Sequence, residues 1–248
     1  MNIHILLIKT IRRVKILVKV FIDAGHGGSD TGAVGYGLQE KVLTLTIAKK
    51  IESLLKNYEG VSTKMSRTSD KTLSLTQRTN AANEWGADFF LSVHINAGGG
   101  TGYEDYRYST LSRDGLTGKQ QSTIHNTVMD KIKSYGVFDR GVKSADFHVL
   151  RESDMSAILS ENLFIDTKKD ADLLKQEAFL NALAAGHAEG IAKAFNLKKK
   201  ASETYKIQKG DTFWGIEEEK GIKHGTLQKL NPSVNPTSLN IGQTIRIK

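Results

Sequence analysis

The run Phe89-Phe90-Leu91-Ser92-Val93 limits the fold of this 248-residue chain more than any other stretch. It is too short to be a self-burying helix and too uniformly apolar to leave a face for water. The segment Phe89 to His94 is therefore predicted to be a strand covered on both faces, as in a parallel sheet. Two further apolar runs, Leu17–Asp23 and Ala157–Ile165, read as strands of the same kind. Between them lie amphipathic stretches. Glu40–Lys56 places Leu43, Ile47, Ile51 and Leu54 on one helical face, Leu75–Trp85 and Ser122–Tyr135 read as helices, and Lys168–Phe195 reads as two. Short apolar runs alternating with longer amphipathic ones from Val14 to Leu197 predict an α/β fold, a mostly parallel sheet flanked by helices on both faces.

The periodicity stops at Lys198, so residues 14–197 are expected to form one domain and 198–204 a linker. Residues 205–248 make a small module with a brief alternating segment at each end and two short helical patterns between, a βααβ arrangement. Both prolines, Pro232 and Pro236, fall in it. The absence of cysteine excludes disulfides and thiolate metal sites, so any metal must use nitrogen and oxygen ligands. The net charge of +8 invites a nucleic-acid reading, but its location argues otherwise. Lys9, Arg12, Arg13, Lys15, Lys19 and the run Lys198-Lys199-Lys200 carry the whole surplus. The remaining 27 basic residues equal the 27 acidic ones, and a neutral body is not that of a nucleic-acid binder. The apolar stretch Ile3–Ile8 is shorter than the core of a secretion signal and is interrupted by Lys9, Arg12 and Arg13. Neither a signal peptide nor a membrane-spanning segment is expected.

The candidate chemistry gathers at strand ends, where open α/β sheets bind ligands. His26 follows the first apolar run inside Asp23-Ala24-Gly25-His26-Gly27-Gly28, His94 ends the Phe89 run, and Glu40 opens the first helix. Two imidazoles and one carboxylate are the donors a catalytic zinc ion takes when a fourth position must stay open to water. Each also has a plainer reading: Glu40 suits a helix N-terminus on electrostatic grounds alone, and a histidine at a strand end can simply bond a neighbouring carbonyl. Glu161 is harder to dismiss. Flanked by Ile158-Leu159 and Leu163-Phe164, it costs too much to bury without a partner or a function. His148 is a weaker candidate for a supporting or substrate contact, whereas His4, His125, His187 and His224 read as surface or packing residues.

In combination, the Asp23–Gly28 motif with Ser29-Asp30-Thr31-Gly32-Ala33, then Glu40, Leu75-x-x-Arg78-x-x-x-Ala82-Asn83 and Ser92-Val93-His94-Ile95-Asn96-Ala97, resembles the zinc-dependent N-acetylmuramoyl-L-alanine amidases (amidase type 3) that cut bacterial cell wall. The resemblance implies zinc on His26, Glu40 and His94, with Glu161 as the catalytic carboxylate. It offers Arg67, Arg78 and Asn96 as substrate contacts, a structural ion-pair role remaining open for both arginines. Thr31 stands where such proteins often carry proline. Leu163 replaces the usual glycine after Glu161, which bears on the shape of that loop and not on the identity of the carboxylate. The implied reaction cleaves the amide between the lactyl group of N-acetylmuramic acid and L-alanine of the stem peptide. The alternatives are a zinc peptidase acting on peptidoglycan cross-links and a wall-binding protein with an inert domain.

Residues 205–248 resemble a LysM domain through Tyr205-Lys206-Ile207-Gln208-Lys209-Gly210-Asp211-Thr212, Leu230-Asn231-Pro232 and Gly242-Gln243-Thr244-Ile245. That implies binding of glycans containing N-acetylglucosamine, with Asp211, Thr212, Phe213 and Asn231 as contacts and Trp214 as either a sugar platform or core. The expected partner is bacterial peptidoglycan, met by a monomer after release from the cytoplasm, as an endolysin or a mother-cell lytic enzyme.

Overall fold

The computed structural model describes residues 17–247. The basic N-terminal run before Leu17, His4 and the stretch read as lacking a secretion signal lie outside them. Two compact units divide between Lys199 and Lys200.

In the larger unit, a six-stranded sheet has the order β4-β1-β5-β8-β6-β7. Its strands are β1 (Val18–Ala24), β4 (Val61–Met65), β5 (Phe89–Asn96), β6 (Tyr103–Tyr108), β7 (Asp139–Ala145) and β8 (Ser156–Phe164). The first four in spatial order run parallel, β6 lies antiparallel to β8, and β7 is parallel to β6. A short hairpin, β2 (Val34–Gly35) and β3 (Leu38–Gln39), leads into the first helix.

The sheet is buried on both faces because its apolar strands alternate between two cores. Val20, Ile22, Leu91, Val93 and Ile158 point to one face. There they pack against α1 (Glu40–Leu55), α3 (Leu116–Ile132) and α6 (Glu177–Ala194). Phe21, Phe90, Ala157 and Leu159 point to the other, under Ala82 of α2 (Leu75–Trp85) and Val149 and Leu150 of α4 (His148–Arg151). The second core includes a stacked Phe21–Phe90 pair with ring centroids 5.6 Å apart. α2 starts where Ser74 and Gln77 cap each other's backbone N–H groups, which satisfies two donors that the first turn leaves open. α6 crosses α3 at close range. A Cβ on Gly186 would lie 2.7 Å from Cα of Val128, so any larger residue forces the helices apart. A seven-residue helix α5 (Lys168–Leu174) connects β8 to α6.

The three apolar strands and the helices lie within a few residues of the predicted ranges. β4, β6, β7 and α4 were not anticipated. None of the described helices is long and apolar enough to cross a membrane.

The smaller unit has the βααβ order: β9 (Thr204–Lys206), α7 (Phe213–Glu219), α8 (Thr226–Leu230) and β10 (Thr244–Arg246). β9 and β10 pair antiparallel over a core of Ile207, Phe213, Ile216, Leu227 and Ile245.

Candidate active site

β1 and β5 end side by side, and each delivers a histidine to the carboxyl edge of the sheet. His26 has φ +59, a left-handed conformation that turns its ring back toward β5. Gly25 makes this possible, since a Cβ there would stand 2.4 Å from the His94 ring. The imidazole rings meet edge-on with centroids 4.9 Å apart. Glu40, in the first turn of α1, sits between them: Oε1 lies 3.1 Å from His26 Nε2 and 3.0 Å from His94 Nδ1. One ligating atom from each residue lies within 4.8 Å of the others.

The surroundings hold these groups in place. Asp30 Oδ2 is hydrogen-bonded to His26 Nδ1 at 2.9 Å, which leaves Nε2 directed at Glu40. Backbone N–H groups of Ile95 and Ala33 donate to Glu40 Oε1 and Oε2, both at 2.9 Å. Burial opposes ionisation of Glu40, but the hydrogen bonds and charge of the two histidines outweigh it and hold the carboxyl well below the ordinary range. Burial likewise disfavours a charged His26, and Glu40 and Asp30 reverse that, raising it above its usual value. A carboxylate oxygen wedged between two imidazole nitrogens, each prepared by its neighbours, fits a divalent cation of nitrogen and oxygen preference such as zinc.

Glu161 on β8 is the register partner of His94. Its Oε2 is buried with no hydrogen-bond partner among the described residues, and burial, partly offset by the charge of His94, pushes its carboxyl up to about 7. His26, His94 and Glu161 line a cleft of about 490 Å³ that is also bordered by Leu75, Phe147 and His148. A larger, more open depression around Tyr58, Glu189 and Lys193 contains none of these groups.

A family model described as N-acetylmuramoyl-L-alanine amidase matches residues 20–193. The chain belongs to this family. A LysM domain model matches residues 205–248. The sporulation-specific N-acetylmuramoyl-L-alanine amidase of Bacillus subtilis is 58% identical over 196 residues, 78% of this chain and 75% of that protein. The endolysin of Bacillus phage SPP1 is 51% identical over 183 residues, 73% and 68% of the respective lengths. Among solved structures, the catalytic domain of CwlV, an N-acetylmuramoyl-L-alanine amidase from Bacillus (Paenibacillus) polymyxa, aligns with a TM-score of 0.68 at 33% identity, covering 73% of this chain and 99% of that one.

In the amidase domain the structure gives protein partners to all three residues offered as substrate contacts. Arg67 and Arg78 are each 3% exposed. Arg67 donates to the carbonyls of Ala24 (3.0 Å), Gly25 (2.9 Å) and Lys41 (2.7 Å). Arg78 pairs with buried Asp23 at 2.7 Å and donates to the carbonyls of Ala24 and His26. Their guanidinium groups brace the loop that carries His26, Arg78 doing so at the wall of the cleft. Asn96 is committed too, donating to Glu104 Oε1 and accepting from the Ala97 N–H. Asp23 and Asp30 are the participants the sequence reading missed as individuals. Both stood in the quoted motif, Asp30 at four residues from His26. His148 borders the cleft as anticipated, its Nε2 buried without a partner among the described residues.

The LysM unit shows the same pattern. Phe213 belongs to the core. Asn231 is buried, bridging the backbone of Leu227 and Arg246. The Thr212 hydroxyl caps α7 by accepting from Gly215 N–H, and Asp211 accepts from Gln208 N–H. Trp214 is 64% exposed and stacks on His224, with centroids 5.3 Å apart and planes within 2°. Of the two readings left open for this ring, core packing is excluded.

Proposed function

We propose that His26, Glu40 and His94 hold a zinc ion and that Glu161 moves the proton in hydrolysis of the amide between N-acetylmuramic acid and L-alanine. The observation that carries this is the placement of Glu161, cross-strand from His94 with a buried, unpartnered oxygen, beside three converging ligating atoms. When bound, the ion supplies Lewis acidity, acidifying water and polarising the amide carbonyl. Glu161 Oε2 accepts the proton of the attacking water and returns it to the departing amine nitrogen, a task suited to a carboxyl whose proton affinity is raised toward neutrality. Asp30 keeps His26 in one tautomer, and the Ile95 and Ala33 N–H groups hold the Glu40 carboxylate in place. Leu75 and Phe147, both partly exposed at the cleft, exclude water from one side of the bound peptide.

Every group required comes from one chain, in keeping with a monomer. The LysM unit adds glycan affinity and so raises the local concentration of substrate. Trp214 is the exposed ring in this unit able to stack on a sugar. We place release to the wall at lysis, as for an endolysin or a mother-cell enzyme, on kinship with both kinds of relative.

Lysis of purified peptidoglycan by wild type and by Glu161→Gln, each with and without a chelator, tests the assignment. The wild type should clear the suspension, liberating glycan strands and intact stem peptides in the mass spectrum. The substitution should slow clearing by roughly 10²- to 10⁴-fold with bound zinc retained. Chelation should stop clearing until zinc is restored. Undiminished lysis by the variant, or peptides cut internally while still attached to muramic acid, would reject this chemistry.

A further inference from the structure

Glu161 is the middle of a row of side chains crossing one face of the sheet. Register sets His94 on one side of it and Glu104, on β6, on the other. Glu104 is 2% exposed and accepts from four donors. Asn96 Nδ2 and the Tyr106 hydroxyl reach Oε1 at 2.7 and 2.8 Å, and Arg140 Nε at 2.6 Å and Lys143 Nζ reach Oε2. One carboxylate therefore meets two cations.

Both cations remain open to solvent, with side chains 30% and 35% exposed. Arg140 is gripped through Nε alone and lies over the Phe164 ring at 4.9 Å. Its two Nη groups have no protein partner among the described residues, so the fork that suits a carboxylate is held still and unengaged. Lys143 lies over the Tyr106 ring at 5.8 Å, and Tyr106 packs edge-on against Phe147, which borders the cleft. Two ring contacts thus link Lys143 to the edge of the cleft.

Resting on the amidase reading above, we propose that Arg140 and Lys143 form a subsite for a free carboxylate of the stem peptide, that of the second residue, on the departing side of the scissile bond. The second residue is a glutamate joined to the next through its side chain, which leaves its α-carboxyl group as either acid or amide. Two residues of extended chain span about 7 Å, and cross-strand neighbours stand about 5 Å apart. A peptide whose scissile nitrogen meets Glu161 and whose chain runs on toward β6 carries its second carboxyl group to the cations gathered at Glu104. Glu104 holds Arg140 through Nε alone, and the Nη groups are left for the ligand.

The test compares kcat/KM on disaccharide-tetrapeptides that differ at one carboxyl group, free D-glutamate against D-isoglutamine, using the full chain loaded with zinc. The wild type should prefer the free acid by at least about 10-fold, chiefly through KM, as expected for a charge-assisted contact. Arg140→Gln and Lys143→Gln should each shrink that ratio, Arg140→Gln to below about 2, while Arg140→Lys should retain part of it. A third substrate, free at the second residue and amidated at the side chain of the third, should behave as the free acid. Behaviour like the amide would assign the subsite to the other carboxylate and reject this one. A wild-type ratio near one would overturn the proposal whatever the variants do. So would variants that slow both substrates equally and keep the ratio, since that is what plain shielding of Glu104 predicts. Cleavage of neither substrate by the wild type would instead overturn the amidase reading, and the subsite with it.

Discussion

The two halves of the large sheet are held together by different physics. In β1, β5 and β8 most inward residues are aliphatic or aromatic, with Asp23, Ser92, Ser160 and Asn162 as buried polar exceptions, and stability comes chiefly from apolar area removed from water on both faces. In β6 and β7 much of the inward surface is ionic or polar. Glu104 answers Arg140 and Lys143, and Asp105 answers His125 and Gln121, with His125 reaching on to Asp139. Dispersion and the hydrophobic effect tolerate small shifts, whereas a buried charge is stable only while each partner stays in place. Glu161 stands at the seam, on the last apolar strand and facing the first polar one. The apolar half supplies the rigid frame, and the polar half supplies the field.

Substitutions can break this contrast. The largest effect on folding is expected for Arg78→Met at the mouth of the apolar half, which strands buried Asp23 without its cation and frees the carbonyls of Ala24 and His26. Denaturant unfolding should show a loss of about 3–5 kcal/mol, and zinc binding should weaken as well. An unchanged midpoint would mean that Asp23 finds another partner. Phe90→Ala, removing one ring of the stacked pair, should cost about 3–4 kcal/mol through the cavity it leaves. Unlike the arginine variant, it should leave zinc affinity close to wild type, and a parallel fall in affinity would show that frame and site are not separable in this way.

The smallest effect sharpens the comparison at the seam. His187 on α6 is fully buried and hydrogen-bonded through Nε2 to Asn162 Oδ1 at 2.9 Å, while burial depresses its ring to about 3. Above pH 6.5 the ring is neutral whether the chain is folded or not, and contributes no pH dependence. Below that value the unfolded chain takes up a proton that the folded one refuses, so stability falls with pH until about 3. Between pH 6.5 and 5 the wild type should lose about 2 kcal/mol more than His187→Gln. Equal losses would show the imidazole to be protonated in the folded state.

The same division explains what was legible in the sequence. Phe89 to His94, Ala157 to Ile165 and the helix opened by Glu40 declare themselves through periodicity, because apolar burial is a property of a residue and its near neighbours. The alternation of Tyr103-Glu104-Asp105-Tyr106 carries no such signal. Its inward charges are stable only because of His125, Arg140 and Lys143, which lie far along the chain. Arg67 and Arg78 were left open for a related reason: a charged residue's type does not say whether it meets a ligand or the protein's own carbonyls. The convergence of His26, Glu40 and His94 was legible because each stands at a strand end or helix start on the same sheet edge, and Glu161 stood out as a carboxylate flanked by apolar residues. Asn231 and Phe213 came forward as glycan contacts through the LysM resemblance, which marks loops without telling a residue that lines one from a residue that anchors it in the core.

Arg67 and Arg78 seize main-chain oxygens, of Ala24, Gly25, His26 and Lys41, and almost nothing else on the loop that presents His26. A clamp closed on backbone is blind to what hangs from it. Thr31, whose hydroxyl donates to the Gly32 carbonyl, is consequently free to drift without moving the imidazole, whereas Asp30, bonded to His26 Nδ1, and Gly32, where a Cβ would strike Glu40 and His26, are not.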